Sequence, residues 1–177
     1  MTLREVQALL AFSHLYDIDI LLRPPTLEKT GIYRYLEDGA AGILIPHVST
    51  PQKAKMLVDA AKFPPIGDRG IDNAGLDSDF HVHDPDEYVA WANQETFLAV
   101  QIETPEAVHN AEAIAAVEGV DIVFVGPGDL SLRLRQSGEM TLDDAWEIVA
   151  AACKKHGKAF GGPTMGIKEM QKRHQQG

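Results

Sequence analysis

The sequence predicts an α/β fold built on a parallel sheet, and three observations carry that reading. Short apolar runs rich in Val, Ile and Leu alternate with segments of helical periodicity, the pattern of strands joined by crossover helices. One such unit occurs twice: ILIPHVSTPQKAKMLVDAAK (43–62) and LAVQIETPEAVHNAEAIAAV (98–117) both run strand, Thr-Pro, helix. The strand at 41–48, AGILIPHV, is short and apolar on both sides, as a strand covered on both faces of a parallel sheet must be. Right-handed crossovers then leave two architectures, a doubly wound sheet or a (β/α) barrel.

The elements follow in order. Thr2 and Glu5 match a capping box for a helix over 3–15, with Leu3, Val6, Leu9 and Leu10 on one face. DIDILLRP (17–24) reads as a strand stopped by Pro24-Pro25, and TLEKTGIYRYLEDG as a short helix interrupted at Gly31 and ended by Gly39. After strand 41–48, Thr50 caps a helix with Pro51 at its first position, running to about Lys62. The stretch 63–87 is rich in Pro and Gly, lacks clear periodicity, and reads as a long functional loop. FLAVQIE is the next strand, Thr104 and Pro105 start the next helix, and VDIVFVG (120–126) leads into the turn PGDLS. Thr141 caps a further helix, Asp143 and Asp144 suit its positive end, and His156-Gly157 close it before a short strand at KAFGG (158–162).

Composition bounds the function. The chain has 177 residues, 45% hydrophobic and 24% charged, the make-up of one globular domain. A net charge of −10 disfavours a nucleic-acid partner, which needs clustered Lys and Arg, while leaving a bound cation open. The lone cysteine, Cys153, and the start MTLREVQALL predict a reducing, cytoplasmic setting, and no apolar run has the length of a membrane span.

Residues at the carboxyl ends of parallel strands share the ligand-binding face. Glu103 ends one strand and Asp129 lies just beyond the next; on neighbouring strands their carboxylates converge, and such a pair holds a divalent ion. The bland alternative is that both support helix starts. Gly126 and Gly128 allow a tight turn whose amides receive an anion, although a plain strand-to-helix turn looks the same. Arg69, on a loop between Gly67 and Gly70, is either solvated, paired to an acid, or an oxyanion clamp. His47 follows a strand and should face the ligand side; His81 and His83, beside several acids, are either solvated or a second metal site. Cys153, Trp91 and Trp146 read as packing residues.

In their order, PPIGDRG, QIETPEAV and FVGPGDLSLRL resemble the motifs of the HpcH/HpaI aldolase and citrate lyase family, whose members are metal-dependent, pyruvate-utilising carbon–carbon lyases on a (β/α)8 barrel. The resemblance implies Glu103 and Asp129 as ligands of Mg2+ or Mn2+, and Gln101 beside the substrate. It implies Arg69 as the catalytic group on the 2-keto oxygen and the enolate formed from it, and the amides around Gly128 and Asp129 as the carboxylate holders. Its partners would be a 2-oxo acid of the pyruvate or oxaloacetate type and an aldehyde, and the assembly a homo-oligomer. The departures are an upstream Asp-Gly-Glu-His-type segment, whose His is the family's acid–base group, and the first two and eighth strands. Residues 1–177 are therefore expected to form a single, incomplete barrel domain with about five of eight strands. Two other readings stand beside the aldolase: a non-catalytic relative that binds ligand or associates with full-length subunits, and the acyl-CoA-cleaving branch of the superfamily.

Overall fold

The computed structural model describes residues 2–24, 26–72 and 74–176. Among these, five strands form one parallel sheet in chain order: β1 (Leu21–Leu22), β2 (Gly42–Ile45), β3 (Phe97–Ile102), β4 (Ile122–Val125) and β5 (Ala159–Gly161). The α/β class and the number of strands agree with the expectation. A strand order that never reverses is the product of repeated βα units in one direction, as in a barrel; a doubly wound sheet reverses at its switch point. Contacts within the chain divide it into two compact units, Met1–Leu44 with Met56–Leu98, and Ile45–Lys55 with Ala99–Gly177.

In the first unit, α1 (Leu3–Leu15) carries the expected capping box, with Thr2 Oγ1 accepting from the Glu5 amide and Glu5 answering on the Thr2 amide. Its buried face, Val6 and Leu10, packs with Ala40, Ile20, Leu22 and Tyr35. The strand expected over 17–24 shrinks to Leu21–Leu22, paired in register with Gly42 and Ile43, because only that pair finds ladder partners; Pro25 lies outside the described residues. Helix α2 (Lys29–Glu37) runs through Gly31 instead of breaking there. A Cβ on that glycine would lie 2.7 Å from Thr26 Cγ2, so its absence serves a close approach and not a break. Helix α3 (Pro51–Ala61), whose first turn belongs to the second unit, starts where Thr50 and Pro51 predict, Thr50 Oγ1 accepting from the Lys53 amide.

The segment expected to be loop is partly ordered: a 3-10 turn at Leu76–Ser78 precedes helix α4 (Pro85–Glu95). Asp84 caps α4 through the Asp86 and Glu87 amides and Pro85 fills its first position. Buried Lys62 closes the other end, donating to the carbonyls of Asn93 and Thr96.

In the second unit, β3 and β4 pair from Ala99↔Ile122 to Ile102↔Val125. The helix read after Thr104 is two short ones, α5 (Pro105–His109) and α6 (Ala111–Ala115), bent at Asn110, whose amide donates to the Ser49 carbonyl at 2.8 Å. PGDLS is no isolated turn but the first turn of α7 (Pro127–Ser137). Helix α8 (Leu142–His156) has a capping box at Thr141 and a left-handed Gly157 at its end. Trp146 on α8 is fully buried, edge-on to Phe160 of β5 at 5.5 Å. The tail forms α9 (Ile167–Gln176), which α8 holds through Asp143 to Lys172 and Arg173, each at 2.8 Å. No described helix is long and apolar enough to cross a membrane.

Candidate metal site

Glu103 occupies the single residue between the last pair of β3, Ile102↔Val125, and the Thr104 cap of α5. Thr104 Oγ1 takes the Ala107 amide at 3.0 Å and Pro105 needs no acceptor, so the helix start is satisfied without the acid. The Glu103 side chain is only 4% exposed. Its Oε2 receives the backbone N–H of His47 at 2.9 Å and lies 3.0 Å from the same residue's Nδ1. Gly126, after β4, makes the room: a Cβ there would sit 2.6 Å from Glu103 Cγ and Oε1 and 2.7 Å from Gln101 Nε2. Gln101 is buried beside them, and its Oε1 has no hydrogen-bond partner.

Asp129 stands in the first turn of α7, half exposed, with its Oδ1 3.1 Å from Arg133 Nη1 one turn later. Arg133 Nη1 also reaches the Glu103 carbonyl at 3.4 Å, tying that helix to the end of β3. Nothing lies within 4 Å of where a Gly128 Cβ would be, so the N-terminus of α7 is open on that side. One ligand atom each from His47, Glu103 and Asp129 all fall within 4.8 Å of one another, and no other group of three His, Cys or acid residues among those described does so. Two carboxylate oxygens and an imidazole nitrogen suit a divalent cation, and a carboxylate this buried calls for a positive partner.

Arg69 belongs to the first unit, where it is 4% exposed and lies over the Phe63 ring at 4.4 Å. Its Nη2 donates to Asp77 Oδ2 at 2.7 Å and is 3.4 Å from the Tyr88 hydroxyl, which also donates to Asp77. Burial pushes the Tyr88 phenol far above its ordinary value, with Arg69 opposing, and burial likewise raises the Glu37 carboxyl nearby. Arg69 Nε is buried without a partner. Of the other histidines singled out, His83 pairs with Asp79 at 3.0 Å, and neither it nor His81 joins a close group of three ligands. Cys153 is core, its thiol pushed up to about 11 by burial. Trp146 is core as well, whereas Trp91, expected to pack, is 52% exposed on the rim of a cavity lined by Asp77 and Tyr88, because α4 turns that face outward.

Comparison with known proteins decides the family. The HpcH/HpaI aldolase/citrate lyase model matches residues 1–177. The chain belongs to the HpcH/HpaI family. It is 39% identical over 163 residues to a hydroxypyruvate/pyruvate aldolase of Deinococcus radiodurans, covering 90% of this chain and 57% of that protein. A 5-keto-4-deoxy-D-glucarate aldolase of Klebsiella pneumoniae is 40% identical, over 80% of this chain and 56% of its own. The chain thus spans a little over half the length of these relatives. The crystal structure of an HpcH/HpaI aldolase from Desulfitobacterium hafniense superposes with a TM-score of 0.90 at 30% identity, over 99% of this chain and 69% of that one.

Within this HpcH/HpaI chain the structure brings Gln101, Glu103, Gly128 and Asp129 to the carboxyl ends of β3 and β4, as the motifs led one to expect. Three neighbours were not singled out for what they do. His47 reads from the sequence only as a strand-end residue on the ligand side, two residues beyond β2. Gly126 was read as a turn residue, yet its main service is space for Glu103. Arg133 carried no signal beyond lying four residues after an acid on a helix.

Proposed function

We propose that the protein is a divalent-metal-dependent carbon–carbon lyase of the aldolase type, acting on a 2-oxo acid of the pyruvate or oxaloacetate kind together with an aldehyde. The observation that carries this reading is the convergence of His47, Glu103 and Asp129 at one end of the parallel strands. Family membership and the aldolases named above support it.

In a retro-aldol cleavage the C3–C4 bond of a 4-hydroxy-2-oxo acid breaks, its electron pair enters the enolate of pyruvate, and the 4-hydroxyl loses its proton as the aldehyde forms. Catalysis therefore depends on stabilising negative charge on one oxygen. A bound Mg2+ or Mn2+, held by Glu103 and Asp129, would supply the Lewis acid. The first-turn amides of α7 at Gly128 and Asp129 have no intrahelical acceptors and, at the positive end of the helix, are suited to the substrate carboxylate. Gln101, with its vacant Oε1, would accept a hydrogen bond from the bound substrate or its water. The domain would be one incomplete barrel, working as a cytoplasmic homo-oligomer. Exchange of pyruvate methyl protons with deuterated solvent, followed by proton NMR, tests the reading. It should require a divalent ion and be lost in Glu103→Gln; no metal-dependent exchange, with no cleavage of 4-hydroxy-2-oxo acids, would overturn it.

One observation favours the second, non-catalytic reading. Arg69, expected at the keto oxygen, is buried and engaged with Asp77 and Tyr88. A chain in which that engagement persists on ligand binding would hold metal and 2-oxo acid without cleaving them.

A further inference from the structure

We propose that His47 is itself a ligand of the cation held by Glu103 and Asp129, and that its imidazole makes the site prefer first-row transition ions such as Co2+, Ni2+ or Zn2+ to Mg2+. The proposal rests on the metal reading above and adds a ligand and a class of ion to it.

Three observations support it. The first is spacing. Two ligand atoms each about 2.1 Å from an ion and at right angles stand about 3.0 Å apart. Nδ1 of His47 is 3.0 Å from Glu103 Oε2, the separation of two neighbouring ligands on one ion. Asp129, half exposed at the start of α7, completes a group spanning no more than 4.8 Å.

The second is orientation. His47 has φ +55°, a left-handed conformation uncommon for a side-chain-bearing residue and one that is found at functional positions. Its own N–H on Glu103 Oε2 and the Lys53 ammonium on its carbonyl hold it there. That conformation brings the backbone amide and the ring nitrogen to the same carboxylate oxygen.

The third is donor chemistry. Hard Mg2+ is served by oxygen ligands and water alone, whereas an imidazole nitrogen raises affinity along the transition series. The Arg133 guanidinium lies on Asp129 Oδ1 and the Lys53 ammonium on a backbone carbonyl. Neither stands between Nδ1 and Oε2.

The test uses Mn2+ as a paramagnetic probe of the ligand atoms, with calorimetric titration of Co2+ and Mg2+ alongside. His47→Gly is the main variant, because glycine accepts φ +55° and removes the ring without strain; His47→Asn, which also tolerates that conformation, is the second. Circular dichroism checks that both fold. Pulsed electron paramagnetic resonance of the wild type should show nitrogen-14 coupling to Mn2+, absent in both variants. Removing the ring should weaken Co2+ about 10-fold or more and Mg2+ less than about threefold. Binding of Mn2+ that depends on Glu103 but shows no nitrogen coupling, or coupling that survives in His47→Gly, would overturn the proposal and leave the carboxylate site standing. Absence of binding, or binding indifferent to Glu103→Gln, would overturn both.

Discussion

Glu103 is a residue that the helix start following it does not need. The earlier strand-to-helix unit has Ser49 before Thr50-Pro51, and its helix is capped just as the later one is. Burying a carboxylate is costly, and its place between an apolar strand and Thr-Pro is what marks Glu103 in the sequence as a candidate ligand. The space around it was not legible, since a glycine after a strand reads equally as a turn. The packing gives a prediction. In Gly126→Ala the new methyl meets Glu103 Cγ and Oε1 and Gln101 Nε2, and the Cγ contact cannot be relieved without moving the carboxylate. Divalent-ion affinity measured by calorimetry should fall about 10-fold or more, the size of effect expected when a ligand is misplaced. An unchanged affinity would contradict the part given to Glu103 in holding the ion.

At the scale of elements, the local signals that stood out in the sequence are those with a mechanism. The capping box at Thr2, the cap at Thr141, the Thr-Pro starts at Thr50 and Thr104, and the Gly157 close are all observed. What was missed depends on tertiary context: α4 hides behind a Gly/Pro-rich stretch, although Asp84-Pro85 was a usable start signal, and β1 is short because only Leu21 and Leu22 find ladder partners. Helix α9 is amphipathic and polar, and its docking rests on charge. Hydrogen bonds from Lys172 and then Arg173 hold the Asp143 carboxyl below its ordinary 3.8. A depressed folded-state value means that the contribution is complete above the unfolded value and disappears as pH falls through the folded one. Amide exchange of residues 167–176, normalised for its intrinsic pH dependence, should therefore accelerate selectively as the solution is acidified below about pH 4. Asp143→Asn should show the faster exchange already at neutral pH.

At the scale of the molecule, the α/β class, the parallel sheet and the strand count followed from the alternation of apolar runs and helical segments, and the family from three ordered motifs. That Arg69 would pair with an acid was one of its sequence readings; which acid was not legible. Its partners Asp77 and Tyr88 come from a 3-10 turn and a helix whose packing no local pattern encodes. Although the chain spans only 57% and 56% of two aldolases that it resembles, it brings together both carboxylates of the implied metal site. The central claim is thus that this stretch of chain holds a divalent ion between Glu103 and Asp129. Calorimetric titration with Mn2+ of the wild type, Glu103→Gln and Asp129→Asn tests it most directly. One saturable site in the wild type, weakened about 100-fold or abolished in each variant, is the predicted result; equal binding by all three proteins would contradict it.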